Sequence, residues 1–251
     1  MSRITPRIHS VDGLEHPMGI GLFPYVVEER PHDLTLIDTC FIGELKDLEA
    51  GLQREGYEIK DVKRLILTHT HSDHAQAAGE LKKISGAKVY SHWIEASFLK
   101  NDPPYHGPPT AETIGQLLAQ SGKTPEELGR KYGPPDALPI TVDQQLNDGD
   151  AVGGLKVIHT PGHTPGHISL FSQEDRAIIG GDFLFKFPTG LSLPIPAVTI
   201  DPVVAALSVR RVSQLHFDKL LLAHQDSPML ENAARAVEQL ISHPSSSGPG
   251  R

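Results

Sequence analysis

The chain has 251 residues, 38% hydrophobic and 22% charged, with a formal net charge of −8 from 23 basic and 31 acidic residues. This suits a globular protein of one large domain or two small ones, and the acidic balance argues against broad nucleic-acid or anionic-membrane binding. A single cysteine, Cys40, excludes an internal disulfide and suits a reducing compartment. No apolar stretch approaches the roughly 20 residues that span a bilayer, and the start MSRITPRIHSVDG lacks the apolar core of a secretory signal. The expected setting is the cytoplasm, with no nucleic-acid or membrane partner.

Short runs rich in Val, Ile and Leu predict strands at 23–27, 34–37, 64–68, 88–91, 155–159, 168–171, 176–179 and 219–223. Leu45, Leu48 and Leu52 predict a helix that Gly56 stops, and Ala77, Leu81 and Ile84 a second one capped by Ser72 or Asp73. The stretch 98–139 differs. Asp102-Pro103-Pro104, Gly107-Pro108-Pro109 and Gly133-Pro134-Pro135 punctuate two short helical segments there, the second starting at Thr124. It reads as an inserted helical excursion, either a lid or pocket wall or a surface elaboration, with surface for a homodimer contact. Asp201-Pro202 predicts the cap and first turn of a helix reaching about His216, and Leu230, Ala234, Val237 and Ile241 the last helix. The organisation expected is one domain over 1–244 with the insertion at 98–139 and a disordered tail at 245–251. Turns join some strands and helices join others, which indicates a layered α/β domain with mixed sheets.

Five apolar runs end in a polar residue able to bind or orient a metal. His69-Thr70-His71-Ser72-Asp73-His74 places four metal-ligand side chains in six residues directly after Leu65–Thr68. A fold gains little from burying so many polar groups without a cation, and imidazole with carboxylate suits a borderline divalent ion such as zinc. Downstream, the run His159-Thr-Pro-Gly-His163-Thr-Pro-Gly-His167 follows 155–158, Asp182 follows 177–179, and His224 follows 220–223. Asp38 follows 34–37. Loops at strand ends are where layered sheet proteins build sites.

In His69-x-His71-x-Asp73-His74, then His163, Asp182 and His224, the chain resembles the metallo-β-lactamase-fold hydrolases over essentially its whole length. The resemblance implies a four-layer αβ/βα sandwich of two mixed β-sheets flanked by helices, holding two divalent metal ions. By the family pattern His69, His71 and His163 bind one ion, Asp73, His74 and His224 the other, and Asp182 bridges both. Asp38 matches an early aspartate that supports the metal loop by hydrogen bonding. His159 and His167 lie outside the ligand positions and read as structural or supporting residues. Zinc is the expected metal, although iron, manganese or cobalt suit the same donors. Two departures stand out: Ala75-Gln76-Ala77-Ala78 where relatives are glycine-rich, and Ala223-His224-Gln225 where many have Gly-His-Gly.

The leading functional reading is hydrolysis of an acyl bond in a small molecule (ester, lactone or thioester) by a hydroxide held between the ions. Asp182 and Asp73 are the candidate catalytic carboxylates, Asp73 as a proton relay. Phe183, Phe185 and Phe187 are candidates for the pocket wall, with core packing the alternative for each. Glyoxalase-like thioesterases share the Thr-Pro-Gly-His-Thr-Pro-Gly run and a Gly-Asp-x-Leu-Phe motif, matched here by 181–185, but the glutathione-binding basic patch is not evident. Homoserine-lactone hydrolases carry a tyrosine where Phe185 stands. The alternatives are a phosphodiesterase or nuclease, a mononuclear iron persulfide dioxygenase, and a non-catalytic metal-binding protein.

Overall fold

The computed structural model describes residues 2–15, 21–99, 140–188, 190–225, 227 and 230–242. Most of the proline-rich excursion and the whole tail expected at 245–251 lie outside the described residues.

The chain opens with β1 (Ser2–Arg3), β2 (Ile8–Ser10), β3 (Leu14–Glu15) and β4 (Gly21–Leu22). Then come β5 (Tyr25–Arg30), β6 (Asp33–Ile37), α1 (Leu45–Arg54) and β7 (Val62–Leu67). α2 (Ser72–Ala75) and α3 (Ala78–Ser85) lead to β8 (Lys88–His92), α4 (Trp93–Leu99) and β9 (Gln144–Leu146). The second half runs through β10 (Ala151–Val152), β11 (Leu155–His159), β12 (Ile168–Ser172) and β13 (Ala177–Gly181). A hairpin of β14 (Phe185–Phe187) and β15 (Gly190–Ser192) precedes α5 (Pro202–Val212). β16 (Lys219–Leu222), β17 (His224–Gln225), β18 (Leu230–Glu231) and α6 (Ala233–Ser242) complete it.

Among the described residues two large mixed sheets form, ordered β1-β2-β5-β6-β7-β8-β9 and β10-β11-β12-β13-β16-β18, beside the small sheets β17-β4-β3 and β14-β15. The period of two along each strand sorts its side chains between layers. On β7, Leu65 and Leu67 enter a cluster with Leu48 and Leu52 of α1 and Ala78 and Leu81 of α3. Ile66 between them points the other way and meets Tyr25, Val27 and Ile37. There they pack against Leu155, Val157, Ile168, Ile179 and Leu221 of the second sheet. Ile178, Leu220 and Leu222 face outward to Val209 and Val212 of α5 and Val237 of α6. These three clusters are the three interfaces of a four-layer αβ/βα sandwich, and each fully buried Leu, Ile or Val in them contributes about 1.5–3 kcal/mol.

All eight predicted strands form. The second predicted helix differs: it divides into α2 and α3, Ser72 and Asp73 lie inside α2 rather than capping it, and Ile84 is 44% exposed. The reason is tertiary, because the Asp73 carboxylate turns toward the distant His224 instead of the helix N–H groups. Asp201 caps α5 as expected, its Oδ1 accepting the Val203 and Val204 N–H groups at 3.0 Å. α5 ends at Val212, short of His216, and Leu230 belongs to β18 rather than to the last helix. Among the described residues no helix is long and apolar enough to cross a membrane.

Candidate metal centre

β6, β7 and β8 are parallel, as are β13 and β16, so their C-terminal ends gather at one edge of each sheet. β11 runs antiparallel to β12 and β12 to β13, which brings the end of β11 to the same edge as that of β13. His69 and His71 follow β7, Asp73 and His74 lie in α2, and His163 sits in the loop after β11. Asp182 follows β13 and His224 opens β17 just past β16. Asp73 and His74 thus arrive on the short helix after β7, and the other five candidates in the segments that directly follow strands.

The structure brings all seven together in two groups, His69, His71, His163 and Asp182 in one and Asp73, His74 and His224 in the other, with the donor atoms of each within 4.8 Å of one another. In the first, His71 Nδ1 is 2.9 Å from His163 Nε2, and Asp182 Oδ2 is 3.3 Å from His163 Nε2 and 4.0 Å from His69 Nε2. In the second, Asp73 Oδ2 is 3.1 Å from His224 Nε2 and 3.4 Å from His74 Nε2. Asp182 also reaches this group, with Oδ1 3.4 Å from His74 Nε2 and Oδ2 3.5 Å from His224 Nε2. Two donors on one tetrahedral ion with bonds of about 2.0–2.1 Å are about 3.3 Å apart. The residues therefore fit metal ions in spacing as well as in type. Two buried atoms support the same fit: His69 Nε2 and Asp182 Oδ1 make no hydrogen bond, a costly condition unless a cation takes the lone pair.

The rings of His69, His74 and His163 each meet a partner on the other nitrogen. Asp38 Oδ1 accepts the Thr68 N–H at 2.7 Å, and Oδ2 accepts the Thr68 hydroxyl at 2.7 Å and His74 Nδ1–H at 2.9 Å. Having given its proton to Asp38, Thr68 Oγ1 accepts His69 Nδ1–H at 3.0 Å. Both Nε2 lone pairs then face the centre, so one carboxylate fixes a ligand in each group. Asp38 does this from a left-handed backbone, φ 61°, a conformation aspartate tolerates better than most residues. His163 Nδ1 lies 3.4 Å from Thr199 Oγ1, whose hydroxyl donates to the Ile195 carbonyl.

His167 plays the corresponding part for Asp182. Its Nε2 accepts the Asp182 backbone N–H at 2.9 Å, so the proton is on Nδ1, which donates to Thr160 Oγ1 at 2.8 Å. Thr160 bonds Ser169 at 3.0 Å, and Ser169 donates to the Gly180 carbonyl. Gly181 lies inside this arrangement at φ +58°, where a Cβ would come within 2.8 Å of His167 Nε2 and of Thr68 Oγ1. Only glycine combines that conformation with that approach.

Electrostatics follow burial. Burial and the surrounding imidazoles push His69 and His163 well below the usual histidine range, and burial holds His167 at about 3. Burial alone would lower His74 too, but Asp73, Asp182 and Asp38 together raise it well above that range. Asp182 is raised by burial against the pull of His224 and His74. A bound cation would override these balances with its own charge.

The aromatic candidates separate. Phe185 stacks on His224 with ring centres 5.2 Å apart and planes 11° apart, and half-buried Phe187 stacks behind it at 6.2 Å. Phe183 is instead buried in the outer core with Ile178 and Leu184, the alternative left open by the sequence. Both sequence departures acquire a structural reason. Gln76 Oε1 accepts the Ile42 N–H at 2.9 Å, tying α2 to the loop after β6. Gln225 donates to Tyr25 Oη at 2.9 Å, and Tyr25 donates to the Leu222 carbonyl, bracing the strand end that carries His224. Cys40 is buried in the first cluster, its thiol pushed up by burial. Thr68, Thr160, Thr199 and Glu95 escaped sequence reading, since common residues far from their partners along the chain carry no local signal. His159 stacks on His92 at 4.2 Å, away from both donor groups.

The metallo-beta-lactamase superfamily pattern matches residues 23–224. Bacillus subtilis YobT is 30% identical over 177 residues, 69% of this chain and 67% of that protein. The probable metallo-hydrolase YflN of the same organism is 28% identical over 211 residues, 78% and 76% of the two chains. Hydroxyacylglutathione hydrolase GloC of Haemophilus influenzae is 28% identical over 131 residues, 50% of this chain and about half (51%) of its own length. In fold, a metallo-beta-lactamase family protein of Thermus thermophilus superposes with a TM-score of 0.69 at 22% identity, covering 96% of this chain and 80% of that one. Rm3 metallo-beta-lactamase gives 0.67 at 20% identity, covering 96% and 90%. Strand-end ligands, layer order and sequence match converge, and the chain belongs to the metallo-beta-lactamase superfamily.

Proposed function

We propose that the chain is a dinuclear metal-dependent hydrolase that cleaves an acyl bond of a small molecule: an ester, a lactone or a thioester. The observation that carries this reading is the position of Asp182, whose carboxylate lies within 3.3–3.5 Å of His163 in one group and of His74 and His224 in the other. His69, His71 and His163 would hold one ion, Asp73, His74 and His224 the second, and Asp182 both. When bound, such ions supply Lewis acidity and lower the pKa of a water between them to about 7. Zinc suits the mixed imidazole and carboxylate donors.

The chain's own residues do the rest. Asp38, Thr68 and His167 keep the ligating atoms aimed before substrate arrives, so little reorganisation accompanies reaction. Phe185, buried flat against His224, backs that side chain, and half-buried Phe187 stacked on it offers an apolar wall to the acyl part. Asp73, whose side chain is the most exposed of the second group at 12%, would pass a proton to a leaving group. The similarity to a hydroxyacylglutathione hydrolase, an enzyme named for an acyl conjugate of glutathione, supports the acyl-bond reading. A parallel assay of aryl ester, lactone, acyl thioester and bis-p-nitrophenyl phosphate tests it. Turnover is expected on one of the first three, and preference for the phosphodiester would overturn it.

A further inference from the structure

We propose that Glu95 is a positioning residue for the first group of donors, clamping the loop that carries His69 and His71 to the loop that carries His163. The inference rests on the two-ion reading above. Glu95 lies in the first turn of α4 and is fully buried. Its Oε2 accepts the Thr70 hydroxyl at 2.7 Å, and Thr70 stands between His69 and His71. Its Oε1 accepts the Thr164 hydroxyl at 2.7 Å and the Gly166 N–H at 2.8 Å, and Thr164 follows His163. The bonds span 25, 69 and 71 residues of sequence, so they fasten segments that no local structure joins.

Two further features point to a clamp rather than a space-filler. A buried carboxylate costs more than an apolar side chain of the same size unless its oxygens are satisfied, and these donors come from Thr70, Thr164 and Gly166, all within three residues of His69, His71 or His163. The second loop is also pressed onto it. A Cβ on Gly166 would lie 2.8 Å from Glu95 Cγ and backbone N and 2.9 Å from Oε1. The clamp is one-sided, because its bonds go to the loops of His69, His71 and His163, whereas His74 is turned by Asp38 and the strand end of His224 is braced by Tyr25 and Gln225. Glu95 therefore sets affinity at the first group and leaves the second alone.

Zinc titration of the metal-free protein against a chromophoric chelator tests this in two backgrounds. His224→Ala cripples the second group and reads the first, and His71→Ala does the reverse. Glu95→Gln keeps the shape but places an amide N–H₂ among donors. It should weaken zinc about 10–100-fold in the His224→Ala background, the range seen for groups that orient ligands, and less than about twofold in the His71→Ala background. Equal losses in both, or none in the first, would overturn the clamp. If Glu95→Gln does not fold, Thr70→Val and Thr164→Val each remove the hydroxyl bond of one arm, the Gly166 N–H remaining on the second. A clamp needs both arms, so the double variant should lose less affinity than the two single losses combined, and full additivity would sink the idea. A wild-type stoichiometry of one ion would overturn the two-ion reading alone, and the clamp would then stand or fall on that ion's response to Glu95→Gln.

Discussion

His74 Nδ1 lies 2.9 Å from Asp38 Oδ2, and this contact decides which nitrogen of His74 faces the donor cluster. The same oxygen receives the Thr68 hydroxyl, which in turn accepts from His69. Asp38 thus governs the tautomer of one histidine in each group.

Asp38→Asn should therefore impair both groups. Whichever way its amide turns, an N–H₂ meets a donor, either the Thr68 N–H on one side or the Thr68 hydroxyl and His74 on the other. Zinc affinity is expected to fall about 10–100-fold at each group. Chelator competition checks this, and affinity within twofold of wild type would remove Asp38 from the orienting role.

Metal content tests the pair of groups directly. Protein purified without chelator should carry close to two divalent ions per chain by elemental analysis. Asp182→Ala removes the carboxylate shared between the groups, so its content should drop and turnover on the responsive acyl substrate should fall by at least 100-fold. Wild-type turnover in that variant would refute the bridging role.

Gly181→Ala probes the crowded backbone beside Asp182. A methyl group there meets His167 and Thr68 in a left-handed conformation, and overpacking of this kind costs about 1–3 kcal/mol. The urea midpoint of the metal-free variant should fall accordingly, with weaker zinc binding because both orienting residues are displaced. An unchanged midpoint would show that the loop gives way freely.

His92 supplies a pH test outside the metal centre. Burial and the stacked His159 ring lower its pKa to about 4, and its Nδ1 accepts the Ile94 N–H, a bond only the neutral ring can make. Between pH 4 and 6.5 the unfolded chain binds a proton at this position that the folded chain refuses. Stability from this residue is thus complete above about pH 6.5 and lost as pH falls toward 4. In His92→Phe the metal-free protein should lose stability less steeply over that interval, measured as denaturant midpoint against pH. Identical slopes would assign the titration to other groups.

How much of this was legible follows from the range of each interaction. Strands could be read because alternation is local: Leu65, Ile66 and Leu67 already state that one face of β7 differs from the other. The candidate donors could be picked out for the same reason, since His69 to His74 crowd into one segment and His163, Asp182 and His224 each follow an apolar run. Helix limits were less secure. Ser72 and Asp73 look like caps to a local rule, but the Asp73 carboxylate is drawn to His224, which is far away along the chain.

Sequence by itself determined which side chains could ligate a metal and which family they resemble, because spacing and residue type are properties of short segments. Only tertiary structure decided the rest. It set Asp182 between the two groups, placed Phe185 against His224 while Phe183 joined the core, and joined Thr70 to Thr164 through Glu95. A hydrogen bond acts over about 3 Å, so partners separated by tens of residues can orient a ligand only after two sheets and their loops have packed together.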